Sequence, residues 1–563
     1  MLSSGRARLL FGALALWAVL VVARLAQVQL LQHDEWQREA ADQQEQIVEV
    51  QAPRGDILTR DGRVLAGSLE RMTVCANPRR VPRAEWTAVA RKLAPATGLS
   101  EREINARFAS AAGFLYLAKD LDPEVEQTVA RLGQVGVWTE RTERRLYPHG
   151  EFAGPVVGFV NGEERGQAGL EGFFESTLRG APSRYHLVRD GKSVGTPLDL
   201  SLEREGRAGL SLRTTLDSRI QLVVEEELGR TMVEIGARGA TAVVMDPWTG
   251  ELLAVVSLPA YDPARPGQIP AELRRNRAAE DALEPGSTFK PVVVAAALAA
   301  GVLTPYELVD CSGGGVQVAG VFIRDHASYG LLPVREVLAR SSNAGTIRIA
   351  HRMGPAQLDA TIRAFGFGQT TGVELPAEAR GIYRSTDRWS ALSRAGLALG
   401  QEISASALQI ARAYAAIGNG GILVRPRLVL ETIDGSTGRV VTPYVPDPGR
   451  RVLPAEVARQ VAGMLQAVVD EGTGKSARVE GYHAAGKTGT AQKAGVGGYG
   501  GGMHAAWFAG FLPREHPRVV IVVCVDQPEK TFWAADVAAP AFGRIATRLV
   551  TLLGMLPLEG EQA

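Results

Sequence analysis

The chain has 563 residues, too many for one hydrophobic core, so two or more domains are expected. Its 45% hydrophobic and 22% charged content is globular, and a net charge of +1 excludes the strong field of a nucleic-acid binder. Cys75, Cys311 and Cys524 lie far apart and the eight histidines form no H-E-x-x-H cluster, so buried thiols and a site without metal or cofactor are expected.

At the N-terminus Arg6 and Arg8 precede Leu9–Ala23, a charge-free apolar run, and Arg24 follows it. Fifteen residues span only about 22 Å as a helix, against a hydrocarbon core of about 30 Å. Continuation through Leu25, Val28, Leu30 and Leu31 closes the gap. A cleaved signal peptide is the competing reading, but Val21-Val22-Ala23 is a poor cleavage site. Residues 9–31 are therefore expected to be an uncleaved membrane anchor, with residues 1–8 in the cytoplasm and the bulk outside.

A polar stalk follows over residues 32–52, then an irregular stretch from Pro53 to Arg238 with short strands, many glycine turns and helices at Pro82–Leu93 and Pro123–Leu132. Together residues 32–238 make a mainly β stalk and pedestal. Leu216–Ile235 has a helical pattern, with Asp217 as its cap. Thr241–Asp246 and Leu252–Ser257 read as a hairpin closed by Pro247-Trp248-Thr249-Gly250. A long helical section, Thr288–Ile417, separates it from strands at Ala484–Thr490, Trp507–Leu512 and Val519–Val525, and an apolar helix closes the chain near Ala535–Leu553. Strands at both ends with helices between predict an α+β domain over 239–556, an antiparallel sheet covered by helices. The glycine-rich Gly495–Gly502 reads as a hairpin loop.

Chemistry concentrates in three motifs. Ser287-Thr288-Phe289-Lys290 is the chain's only S-x-x-K pair, and residues three apart share one helix face. Pro285-Gly286 marks a turn and Pro291 suits a first helical turn, so a helix is expected to begin at about Ser287. That would place a hydroxyl at the positive end of a helix beside an amine backed by apolar residues. The chain uses only eight lysines among 62 basic residues, and a desolvated lysine, unlike arginine, can lose its proton and act as a base. Taken alone, Ser287 could equally be a helix cap.

Ser341-Ser342-Asn343 lies between predicted helices Val334–Arg340 and Ala344–Met353, where capping is the plain alternative. Lys487-Thr488-Gly489-Thr490 falls on a predicted strand, with both threonines on one side and Lys487 on the other or at the edge. Gly489 would let a substrate backbone approach, and threonine hydroxyls with an ammonium make a carboxylate site. A solvated edge strand is the alternative. Glu471-Gly472-Thr473-Gly474-Lys475-Ser476 imitates a phosphate loop but has Val469 where glycine is needed and follows a helical pattern, so nucleotide binding is rejected.

Three motifs in this order resemble those of the penicillin-recognising serine acyltransferases. Pro53-Arg54-Gly55-Asp56-Ile57-Leu58 with Arg60-Asp61-Gly62, Arg145-Leu146-Tyr147-Pro148 and Gly166-Gln167-Ala168-Gly169-Leu170-Glu171 are similar to pedestal motifs of class B penicillin-binding proteins. Gly400-Gln401-Glu402-Ile403, Leu408-Gln409 and Asn419-Gly420-Gly421 resemble further family segments. Thr59 departs from the family's usual Asp and puts a pedestal turn in question. Glu284-Pro285-Gly286 and Asn343 resemble the division-type (FtsI-like) branch rather than the elongation type.

The resemblance implies a peptidoglycan D,D-transpeptidase that β-lactams inhibit covalently. It assigns Ser287 as nucleophile and Lys290 as its base. Ser341 becomes the proton donor to the leaving amine, and Asn343 the partner of the substrate amide. Lys487, Thr488 and Thr490 hold the terminal carboxylate, with Gly489 beside them, and the Ser287 and Thr490 N–H groups form the oxyanion hole. It further implies a bacterial inner-membrane protein with its catalytic domain outside. The implied partners are stem peptides, a SEDS-family glycosyltransferase and divisome membrane proteins. A membrane-anchored β-lactam sensor is the non-enzymatic alternative.

Overall fold

Val519–Val525 is apolar at every position, as a strand covered on both faces must be. In the computed structural model, which describes residues 4–32, 45–111, 113–188, 199–493 and 502–557, this segment lies at the centre of a five-stranded antiparallel sheet. The order is Leu252–Leu258, Ala237–Met245, Val519–Pro528, His504–Leu512 and Ala485–Gln492. Val520, Val522 and Cys524 pack with helices Lys290–Ala299, Ala407–Gly418 and Ala455–Asp470. Val519, Ile521, Val523 and Val525 pack with helices Ser218–Ile235 and Ala538–Leu552. The period-2 pleat thus supplies two cores from one run of residues. The expected antiparallel sheet, its hairpin and the Asp217 cap are all present; Asp217 accepts the Arg219 N–H at 3.0 Å.

The chain divides into two compact units. One comprises Met1–Arg54 and Arg179–Gly209. It holds the helix Ser4–Ala26, its continuation Gln27–Leu31, and a three-stranded antiparallel sheet of Glu45–Val50, Ser183–Val188 and Asp199–Arg204. Phe11–Leu30 is long and apolar enough to cross a membrane. Its Leu14, Trp17 and Leu20 side chains are exposed. Most of the expected stalk, and residues 494–501 of the glycine-rich loop, lie outside the described residues.

The second unit, Gly55–Leu178 with Leu210–Ala563, contains the large sheet and a seven-stranded mixed sheet. The mixed sheet takes strands from both sides of residue 238, since Leu210–Thr214 pairs with Ile57–Leu58 and with Val429–Asp434. One end of it, Val64–Ala76 between Leu115–Leu121 and Val137–Leu146, packs Met72, Val74 and Ala76 against three helices. Two are the expected ones, at Trp86–Thr97 and Val125–Leu132; the third, Glu101–Ser110, was absent from the sequence reading. Its signal was present as the capping box Ser100/Glu103, with Ser100 N–H donating to Glu103 at 2.8 Å. The helical section after Thr288 is also interrupted, by two small hairpins. One of these, Gly315–Val318 with Val321–Arg324, delivers residue 325 to the site described below.

The pedestal motifs meet around buried polar groups. Thr59 is fully buried and its hydroxyl accepts the Arg63 N–H at 3.0 Å, so the turn questioned from the sequence is closed by the threonine itself. Arg145 and Glu171, from separate motifs, form an ion pair at 2.6 Å with side chains 1% and 0% exposed. Tyr147 donates to the same carboxylate at 3.4 Å and accepts the Val160 N–H at 3.1 Å. Removing one member of such a pair strands the other charge in the core. Arg145→Ala should therefore destabilise this unit by about 3–5 kcal/mol, read as a lowered unfolding midpoint of the detergent-solubilised chain.

Candidate active site

Ser287 sits on a single 3-10 turn, Gly286–Phe289, and the α-helix proper begins at Lys290 with Pro291 in its first turn. The α-helix thus starts three residues after the expected Ser287, behind a 3-10 turn. The turn is held from several sides. Gly286 has φ +54°, which favours glycine. Thr288 donates to the Pro285 carbonyl at 2.7 Å, the buried Tyr414 hydroxyl donates to the Thr288 carbonyl at 2.9 Å, and Phe289 packs edge-on against Phe367.

Lys290 is fully buried on the next turn. Its Nζ donates to the Ser341 carbonyl at 2.6 Å and to Asn343 Oδ1 at 2.8 Å, with Ser341 Oγ at 3.3 Å. Burial pulls its ammonium down to about 7, while the Asp325 carboxylate pulls the other way. Two carbonyl acceptors occupy the two N–H groups of a neutral amine, so the hydrogen bonds are compatible with the unprotonated form that burial favours.

Ser341 adopts φ +58°, and the helix Asn343–His351 begins just after it with Ser342 as cap. The capping alternative therefore holds for Ser342, whose hydroxyl accepts the Gly345 N–H at 3.0 Å. Ser341 and Asn343 instead meet the Lys290 amine. Asn343 Nδ2 donates to the Arg324 carbonyl at 2.9 Å, fixing the orientation of its amide.

Lys487 and its neighbours lie on the edge strand Ala485–Gln492. A solvated edge is excluded, because Lys487 is fully buried. Its Nζ turns back to the Thr488 carbonyl at 3.0 Å and hydroxyl at 3.1 Å, so it ends beside the threonine rather than on the opposite side. Burial first, and then the Lys290 charge, hold it well below its ordinary value. Thr490 Oγ1 accepts the Ala534 N–H at 3.1 Å. Gly489 corrects the sequence reading: a Cβ there would lie 2.6 Å from the Pro285 oxygen and 2.9 Å from the Thr288 nitrogen. The space expected for a substrate backbone is filled by the turn that carries Ser287.

Ser287, Ser341, Asn343, Thr488 and Thr490 line one cleft of about 510 Å³, and the two lysines lie beneath its floor. All the residues singled out in the sequence are therefore brought together. Two further residues were missed. Thr473, in the segment dismissed as a false phosphate loop, lines the cleft and shares a 2.8 Å hydrogen bond with the Thr488 hydroxyl. Lys487 Nζ reaches it at 3.4 Å. The helix Ala455–Asp470 before that segment supports the rejection of a nucleotide site. Asp325 accepts the Ser342 hydroxyl at 2.6 Å, and nothing in the local sequence marks it out. Four aromatic side chains also line the cleft: His504 stacks on Phe532 and His326 meets Trp533.

Residues 240–547 match the penicillin binding protein transpeptidase domain and residues 49–214 the penicillin-binding protein dimerisation domain. The chain is 33% identical to the peptidoglycan D,D-transpeptidase FtsI of Escherichia coli, over 98% of this chain and 93% of that protein. It is 32% identical to the stage V sporulation protein D of Bacillus subtilis, over 98% of this chain and 86% of the relative. Penicillin binding protein 3 of Mycobacterium tuberculosis, solved in complex with aztreonam, superposes with a TM-score of 0.72 at 29% identity, covering 91% of this chain and 99% of that one.

A methyl group at residue 489 would push the nucleophile's turn by a sizeable fraction of an ångström. Gly489→Ala should slow covalent labelling at Ser287 by about 100-fold, measured as the second-order rate with a fluorescent penicillin.

Proposed function

Because this chain belongs to the class B penicillin-binding proteins, we propose that it cross-links peptidoglycan stem peptides through a serine acyl-enzyme formed on Ser287. The observation that carries this reading is Lys290: a buried amine, lowered to about 7, clasped by Ser341 and Asn343 one helical turn from a cleft-lining serine. In the first half-reaction Ser287 Oγ attacks the penultimate D-Ala carbonyl and Lys290 accepts its proton. The new C–O bond forms as the C–N bond breaks, and terminal D-Ala departs as an amine protonated through Ser341. The amine of a neighbouring stem then attacks the ester, forming the cross-link and returning the proton to Ser287.

The N–H groups of Ser287 and Thr490 serve the oxyanion, and Asn343 the substrate amide. Lys487, Thr488 and Thr490 receive the terminal carboxylate, and an anion arriving there would favour the charged form of a lysine that is otherwise buried. β-Lactams, which present a similar carboxylate and a strained amide, acylate the same serine.

For this reading the chain divides into a cytoplasmic tail (1–8), an anchor (9–31), a stalk and pedestal (32–238) and a transpeptidase domain (239–556). Phe11–Leu30 supports single-pass anchoring in the bacterial cytoplasmic membrane, with the catalytic domain outside. Glu284-Pro285-Gly286 and Asn343 favour septal over elongation synthesis, in company with a SEDS-family glycosyltransferase and divisome proteins.

Two measurements test the proposal. After incubation with a penicillin, intact-mass and peptide analysis should place one adduct on Ser287, absent from Ser287→Ala; an unmodified wild-type chain would refute the acyl-enzyme. Lys290 must be neutral to accept a proton, and its value is lowered to about 7. Acylation should accordingly level off above that pH and fall about tenfold per pH unit below it.

A further inference from the structure

Both carbonyls that grip the Lys290 amine come from the Ser341–Asn343 turn. The turn contains a left-handed serine, φ +58°, a conformation that a non-glycine residue keeps only when its surroundings impose it. Asp325 imposes it. Its carboxylate accepts the Ser342 hydroxyl at 2.6 Å, the Asn343 N–H, and the Ala344 N–H at 3.4 Å. These donors include the first N–H groups of the helix Asn343–His351, where a negative charge is favoured. The carboxylate is itself located by the preceding hairpin: Gly315 pairs with Arg324, and the Asp325 N–H donates to the Gly314 carbonyl at 3.0 Å.

Charge adds to geometry. The titratable groups around Lys290 are Lys487 from the edge strand and Asp325 and His326 from the segment after the hairpin. Among the described residues, Asp325 is the one carboxylate whose charge acts on the Lys290 amine. We infer that Asp325 is a positioning residue of the acylation step, holding the Ser341–Asn343 turn against the Lys290 amine and setting one negative charge near it. It works without touching substrate, and the inference rests on the serine acyl-enzyme reading above.

Asp325→Asn separates the two contributions. The amide oxygen can accept the Asn343 N–H and the amide nitrogen can donate to the Ser342 hydroxyl, so the turn keeps its partners while the charge is lost. With the opposing charge gone, Lys290 loses its proton more readily. The acid limb of the rate of penicillin labelling should move down by about one pH unit, a displacement that a purely structural role does not produce. An acid limb that stays in place in a folded Asp325→Asn variant overturns the inference. Should that variant not fold, Asp325→Glu keeps the charge: its limb should remain where the wild type has it, and displacement despite the retained charge overturns the inference equally. A wild-type chain that takes no label at Ser287 would instead defeat the acyl-enzyme reading itself.

Discussion

Lys290 Nζ lies fully buried against the Ser341 carbonyl and Asn343 Oδ1, and most features of the site serve to keep it there. An ammonium in water keeps its proton at neutral pH; enclosure by apolar helix lowers the value of the same group to about 7. That enclosure is a product of the core. The helix Lys290–Ala299 is buried along nearly its whole length, so the lysine cannot swing out to solvent. The helices Ala407–Gly418 and Ala455–Asp470 belong to the same core.

Ser287 is positioned from a different direction. Its 3-10 turn is pressed against the edge strand of the five-stranded sheet, with Gly489 and Gly286 meeting across the seam. A Cβ at Gly286 would approach the Thr490 carbonyl at 3.1 Å, and one at Gly489 would enter the turn. Two glycines thus bring the strand that holds the threonines and the turn that holds the serine to backbone contact. This arrangement makes the spacing between Ser287 and the two threonines a property of the main chain, which moves less than side chains do.

The mixed sheet extends this rigidity away from the cleft. Strands Leu210–Thr214 and Val429–Asp434 pair directly, and Arg60 of the first pedestal motif bonds Glu251 at 3.2 Å, just before the edge strand Leu252–Leu258. Arg427 pairs with the same carboxylate. Arg60 is half-buried and Arg427 buried, so one carboxylate ties a pedestal motif and the strand-leading Arg427 to the same point.

The sequence by itself determined the elements whose signals are local. An i, i+3 spacing put Ser287 and Lys290 on one face, an unbroken apolar run marked Val519–Val525 as a strand, and Pro285-Gly286 with Pro291 located the turn within three residues. The capping box at Ser100 was equally legible, though it went unread. Only the tertiary structure decided what surrounds those groups. Asp325 reaches Ser342 from a separate hairpin, Thr473 reaches Thr488 from the end of a helix, and Lys487 folds back along its strand. Gly489 likewise serves the serine's own turn, two hundred residues away in the chain. Protonation, orientation and close approach depend on burial and on which distant segments come together, and a linear pattern carries no record of either.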